Sequence, residues 1–305
     1  MRHHLEWIIL NLLTAWVELL SPERAAACGR ALGGWLWRRG LRRKVVDRNL
    51  ELAFGDQMNA EELEALSLAC YRNMTSHIFE FLKLASWPPE LLDQLIELEG
   101  VEALQAGIDE GQGVVIAGAH FGHWELLSAG ISHLVYPVAA YAGKQTNELV
   151  DHRINQIRTR FGMKAISKSP RSNREMLQII KDQGVLGLLG DLNVPHQFLF
   201  VDFFGLKAAA GPGLGRFVVK AKCPLFYIWI TREGPAKHKG HIRRLDYELT
   251  GDTVADTARI AQLYFDQLEE KIRLHPDHYF WFNRRFKTRP PEEAQQGVRL
   301  YEKMD

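Results

Sequence analysis

The chain reads as an α/β protein: a mostly parallel central sheet flanked by helices, with a helical segment at its N-terminal end. Three observations predict this. From residue 113 onward, short apolar runs alternate with stretches of helical periodicity, the pattern of strands joined by crossover helices. Residues 60–84 repeat apolar side chains at helical spacing. Ahead of them lie two apolar segments and a cluster of cations. The 305 residues, 46% hydrophobic and 25% charged, have the balance of a globular protein able to bury a sizeable core. Lys and Arg total 38 against 37 for Asp and Glu, which excludes a uniformly basic nucleic-acid binder. Three dispersed cysteines, Cys28, Cys70 and Cys223, exclude a disulfide scaffold and a CxxC metal cage.

Residues Leu5–Leu20 hold twelve apolar residues in sixteen, interrupted by Glu6, Asn11, Thr14 and Glu18. As a helix this reaches roughly 24 Å, short of the ~30 Å hydrocarbon core. No small-residue cleavage site follows, and Ser21-Pro22 reads as a helix start. Residues 22–37 are again apolar, with Trp35 and Trp37, and run into Arg38, Arg39, Arg42, Arg43, Lys44 and Arg48 against the single acid Asp47. Tryptophan beside cations is the composition of a helix at lipid headgroup level; two buried core helices with a solvated basic face is the plainer alternative. The expected division is therefore 1–56, membrane-anchoring or interfacial helices with the basic cluster, and 57–305, the main domain.

Asn59 and Glu62 form a capping-box pattern. Leu63, Leu66, Cys70, Met74, Ile78 and Phe81 then define the helix over 60–84, and Pro88-Pro89 ends any continuation. Strands are predicted at 113–118, 136–142, 185–190, 198–203 and 225–231. Helices are predicted at 124–133, 147–162, 172–183 and 255–274.

Open α/β sheets place their chemistry at the carboxyl ends of strands. There the sequence runs Gly113-Val-Val-Ile-Ala-Gly-Ala-His120-Phe-Gly-His123-Trp-Glu125. His120 falls in the loop after the strand and Glu125 in the first turn of the next helix, where the helix dipole favours a carboxylate. Such an imidazole takes a proton from a hydroxyl near neutral pH, and a neighbouring carboxylate fixes its tautomer and stabilises the imidazolium. No Ser or Cys stands in a nucleophile-elbow setting, so the activated hydroxyl belongs to a substrate. A purely structural His and Glu is the competing reading. Metal ligation by His120, His123 and Glu125 is another, but the spacing is not HExxH and no third cluster follows; no metal and no cofactor are expected. His123 reads as a packing or hydrogen-bonding residue.

The segment HFGHWE, with His120-x4-Glu125, resembles the HX4D/E motif of the lipid A late acyltransferase family, the lauroyl and myristoyl transferases of Gram-negative lipid A synthesis. Four further segments follow the family's order. Arg48-Asn49-Leu50 with Phe54 is similar to its RNL segment, and Lys144-x-x-Asn147 with Arg158-x-Arg160-Phe-Gly162 to the stretch after the second strand. Phe204-Gly205 with Gly213 resembles FG-x7-G, and His275-Pro276, Trp281 and Arg284-Arg285-Phe286-Lys287 its closing motif. The resemblance implies the αβ sandwich of glycerolipid acyltransferases. It also implies an enzyme on the cytoplasmic face of the inner membrane that moves an acyl chain from acyl carrier protein to a hydroxyl of a lipid A precursor. His120 would be the general base and Glu125 its orienter, with backbone N–H groups near Gly122 or an arginine binding the oxyanion.

Asp191 matches the family's DQ pair, with Leu192 in place of Gln, and would position the acceptor or an arginine. Arg158, Arg160, Arg284 and Arg285 are candidates for substrate phosphates, and Lys144 is a further candidate substrate-binding residue. Ala208–Gly213 reads as a small-residue loop before a helix, with Ala210 or Pro212 standing where the family more often has a threonine. The acidic carrier would dock on Arg38–Lys44 or on Lys220 and Lys222. Rival readings are a lysophospholipid or glycolipid acyltransferase of the same fold, a non-catalytic membrane-surface protein, and a metal-dependent esterase.

Overall fold

The computed structural model describes residues 2–143 and 145–301; Lys144, one of the predicted substrate-binding residues, lies outside the described residues. Four helices come first: α1 (Arg2–Glu18), α2 (Pro22–Arg38), α3 (Arg43–Phe54) and α4 (Ala60–Lys83). The alternating part follows with β1 (Ile96–Glu99), α5 (Val101–Asp109), β2 (Val114–Gly118), α6 (Trp124–Leu134), β3 (Val138–Ala142), α7 (Glu148–Thr159), β4 (Lys164–Ser167), α8 (Ser172–Lys181) and β5 (Val185–Leu189). Then come β6 (Leu199–Phe203), β7 (Leu206–Ala210), α9 (Gly213–Ala221), β8 (Leu225–Gly234), β9 (Lys237–Leu245), α10 (Thr253–Leu274) and α11 (Pro291–Gln295).

Seven strands form one sheet in the order β1-β9-β8-β2-β5-β3-β4, in which only the β8–β9 pair is antiparallel. The predicted mostly parallel α/β architecture is therefore present. Successive side chains of β2 face opposite ways. Val115 and Ala117 join the core shared with Leu186, Tyr264 and Phe265, while Val114 and Ile116 join the core with Leu126, Ile131 and Phe161. Both faces are covered, which is why the strand is apolar at every position.

The caps read from sequence are made. The Asn59 side chain accepts from the backbone N–H groups of Glu61 and Glu62, and the Asn59 N–H donates to the Glu62 carboxylate at 2.8 Å. Ser21 Oγ accepts from the Arg24 N–H, with Pro22 opening α2. Helix α2 seats directly on α4 because Gly29 and Gly33 lack side chains. A Cβ at Gly33 would lie 2.5 Å from the Tyr71 carbonyl oxygen, and Thr75 Oγ1 donates to the Gly29 carbonyl at 2.7 Å. Helix α1 buries only Thr14 and Val17. It leaves Leu5, Ile9, Leu12 and Trp16 exposed, and Leu19 just after it is 84% exposed. No helix among the described residues is long and apolar enough to cross a membrane.

Two expectations are corrected. The apolar run 198–203 is a strand, but it pairs antiparallel with β7 in a separate hairpin rather than joining the sheet. Ala208–Ala210, read as loop, form β7 itself; their methyl groups, 0–1% exposed, pack into the core where larger side chains would not fit. The basic cluster straddles the end of α2 and the start of α3. Arg43 stacks 4.0 Å over Trp37 and pairs with Asp47 and Glu64, whereas Arg38, Arg39, Arg42 and Lys44 are exposed.

Candidate active site

Strands β2 and β5 run parallel, with Gly118 opposite Leu189. Two residues beyond each of these ends stand His120 and Asp191, so strand register alone brings a histidine and an aspartate 71 residues apart into contact. His120 Nδ1 lies 2.9 Å from Asp191 Oδ1, and the His120 backbone N–H donates to the same oxygen at 3.2 Å. Asp191 is fully buried, while the imidazole is 23% exposed. A carboxylate accepts only, so the ring proton sits on Nδ1 and Nε2 carries the lone pair. Burial disfavours the imidazolium, but the charge and hydrogen bond of Asp191 outweigh it, with Glu125 adding, and hold the His120 pKa above its ordinary 6.5. Burial likewise opposes the Asp191 carboxylate, and the imidazole's charge and hydrogen bond keep its pKa below the usual range.

The surroundings lock this pair. The Tyr264 hydroxyl donates to the Gly118 carbonyl at 2.7 Å and the Tyr279 hydroxyl to the Asp191 carbonyl at 3.3 Å. The Phe280 N–H donates to the His120 carbonyl at 2.9 Å, and Trp124 and Phe280 pack their rings around the imidazole. The Gly122 N–H, expected at an oxyanion, instead donates to the His278 carbonyl at 2.8 Å, because residues 121 and 279 form a β-bridge. Gly122 has φ +57°, and a Cβ there would lie 2.3 Å from the Ile230 carbonyl oxygen. Gly122→Ala is expected to destabilise the fold by at least ~2 kcal/mol, the sum of left-handed strain and the clash, read as a lower denaturant midpoint with unchanged slope.

Glu125 sits in the first turn of α6 as predicted, but its carboxylate is not the imidazole's partner. Arg158 on α7 clamps it from both oxygens, Nε donating to Oε2 at 2.9 Å and Nη2 to Oε1. A guanidinium fork matches a carboxylate edge, a stronger contact than a single imidazole bond. That geometry engages the Arg158 edge foreseen for a phosphate; its Nη1 reaches Asn155 at 3.3 Å. Arg285 is 1% exposed, lies between Phe203 and Phe265, and donates to the Ala209 carbonyl at 2.7 Å. Burial lowers its pKa, and the negative charge of Asp191 counters this, so it lies behind the pair rather than on an open surface. Arg160 donates to the Trp87 carbonyl at 3.2 Å at the protein surface, and Arg284 is half-buried and engaged in its own contact. His123 caps α6, its Nδ1 accepting from the Leu126 N–H at 3.3 Å. Asn49 of the RNL segment donates at 2.7 Å to the carbonyls of Trp281 and Asn283, which joins two of the family-like segments.

Two cavities meet at His120. One, of 370 Å³, runs between the sheet and helices α6 and α7 past Ile116, Val138, Gly187 and Ile228. The other, of 310 Å³, is walled by Leu10, Met74, Ile78, Phe81 and Ile154. His120, Trp124, Glu125 and Arg158 line both. No local sequence pattern marks this convergence, to which Trp124 contributes a wall on both sides.

The mostly parallel sheet and the His120–Asp191 pair at its strand ends, between two largely apolar cavities, place the chain in the α/β class. Comparison narrows the class to a family: residues 1–288 match the bacterial lipid A biosynthesis acyltransferases, and the chain belongs to that family of acyltransferases. It is 27% identical over 306 residues to the lipid A biosynthesis palmitoleoyltransferase of Escherichia coli strain K12, covering 96% of this chain and 94% of that one. It is 24% identical to the lauroyltransferase of the same strain, over 95% and 93% of the two chains. A more distant relative is the phosphatidylinositol mannoside acyltransferase of Mycolicibacterium smegmatis, 22% identical over 71% of this chain and 69% of that one.

Proposed function

We propose that this acyltransferase moves a fatty acyl chain from acyl carrier protein to a hydroxyl of a lipid A precursor, with His120 as general base. The observation that carries the reading is the placing of His120, held by Asp191, where two apolar cavities join: one for the acyl donor's chain, one for the lipid acceptor. His120 Nε2 takes the acceptor hydroxyl's proton as its oxygen attacks the thioester carbonyl carbon. The tetrahedral intermediate collapses with loss of the carrier's thiolate, which receives the proton back from the imidazolium. Asp191 stabilises that imidazolium, and the half-buried Arg158 guanidinium, anchored on Glu125, supplies positive charge toward the oxyanion. Glu125 thereby acts on the site through Arg158 and through its charge near the ring.

Residues 1–56 dock on the cytoplasmic face of the inner membrane. The exposed apolar side of α1 meets the acyl region, Arg38, Arg39, Arg42 and Lys44 meet anionic headgroups or the acidic carrier, and Leu10 of α1 lines the second cavity. Leu12→Glu combined with Trp16→Glu is expected to weaken binding to anionic vesicles at least about tenfold in a sedimentation assay, since each large apolar side chain is worth ~1.5–3 kcal/mol on burial.

The base must be neutral to act. With its pKa raised above 6.5, kcat/KM should rise with pH through an apparent pKa above that value; a limb below it would contradict the assignment. Mass spectrometry of lipids from cells with and without the gene tests the acceptor. A missing acyl chain on lipid A supports the reading, and an altered phospholipid or glycolipid would replace it with the lysophospholipid or glycolipid alternative.

A further inference from the structure

Beside His123 lies a second group of ionisable side chains that the acyl-transfer chemistry does not use, one member of which, His77, lines the same cavity as His120. His77 and Glu80 stand at i and i+3 on α4, so they share one face, and His238 reaches toward them from β9. Donor atoms of these three buried residues lie within 4.8 Å of one another, with His238 Nε2 3.7 Å from Glu80 Oε2. The rings of His77 and His238 lie 5.4 and 5.5 Å from that of His123.

The hydrogen bonding of this group is incomplete. His77 Nε2, both ring nitrogens of His238 and His123 Nε2 are buried without a partner, and unpartnered buried polar atoms are uncommon in folded proteins. Neutral imidazole is the form that ligates metals. Glu80 accepts from Arg232 at both oxygens, at 2.7 and 2.6 Å. Each oxygen keeps a second lone pair, and a hydrogen-bonded carboxylate is the usual outer-shell arrangement of a ligand. A cavity of about 10 Å³ touches Glu80, His123 and His238, room for one small ion or water.

We propose that His77, Glu80 and His238 form a site for a divalent first-row ion, best suited to Zn²⁺, with a water as fourth ligand beside His123. Two imidazoles and a carboxylate are a zinc donor set, and ideal tetrahedral donors stand ~3.3 Å apart, close to the 3.7 Å edge already present. Because His123 Nδ1 accepts from the Leu126 N–H, its proton sits on Nε2 and donates to the bound water. The ion ties α4, which walls the lipid-facing groove, to β9 and to the start of α6. The site is distinct from the catalytic pair and does not depend on the reaction assigned to it.

The test uses the full-length protein, stripped with a chelator. It is titrated with Zn²⁺ against a chromophoric competitor and with Co²⁺ as a spectroscopic probe. The expected result is one ion per chain, visible absorption of four-coordinate Co²⁺, and a melting temperature that climbs with free Zn²⁺. His77→Gln and His238→Gln should each weaken binding at least about 100-fold, while His3→Ala with His4→Ala should leave it unchanged. Failure of the stripped wild-type protein to take up a stoichiometric ion would overturn the site whatever the variants do. So would loss of binding in the His3/His4 variant alone.

Discussion

Replacing His120 by alanine should lower kcat by about 10²–10⁴-fold, the contribution of a positioned general base, while the protein keeps its secondary structure and vesicle binding. The imidazole is partly exposed and its backbone N–H still donates to Asp191, so that carboxylate retains one partner in the variant. His120→Gln, which keeps a polar side chain but cannot take up a proton, should be equally inactive. Turnover of acyl-carrier thioester by purified variants, with circular dichroism as the folding control, reads this directly. Activity within tenfold of wild type in both variants would remove His120 from the chemistry and favour a scaffold role.

The second large effect is expected at Asp191. Asp191→Asn preserves shape but removes the charge that offsets burial of the imidazolium, so kcat should fall by about 10²–10⁴-fold. The pH profile gives the sign. In the wild type, burial lowers the His120 pKa and Asp191 raises it more; without that charge, burial prevails and the acid limb moves to lower pH. Glu125→Gln releases Arg158 and removes only the lesser, through-space charge, so its limb should move less. The opposite ranking, with Glu125→Gln shifting the limb more than Asp191→Asn, would return the orienting role to Glu125.

How much of this was legible follows from the range of each interaction. The His120 loop, the first-turn position of Glu125 and the capping box at Asn59 are local, and sequence spacing located them. The Asp191 partnership depends on β2 lying next to β5 with Gly118 opposite Leu189, and no local pattern states strand order. The Glu125–Arg158 clamp likewise needs α6 beside α7. Strand β9, Lys237–Leu245, escaped notice because its charged positions mask the inward Ile242 and Leu245. Helix α3 was hidden by the basic cluster although Val46, Leu50 and Phe54 form its buried stripe. Among the arginines, composition marked phosphate-type side chains, but only packing separates Arg158 at the cavity wall from Arg285 in the core.

The central assertion is that Asp191 holds the proton on His120 Nδ1 and raises the basicity of Nε2. Long-range ¹H–¹⁵N correlation spectra of the imidazoles, recorded across pH and assigned by loss of one ring's signals in His120→Gln, measure both properties at once. The expected result is an Nδ1–H tautomer titrating above pH 6.5, and a drop of that midpoint in Asp191→Asn. An Nε2–H tautomer, or a ring that titrates below 6.5 in the wild type, would contradict it.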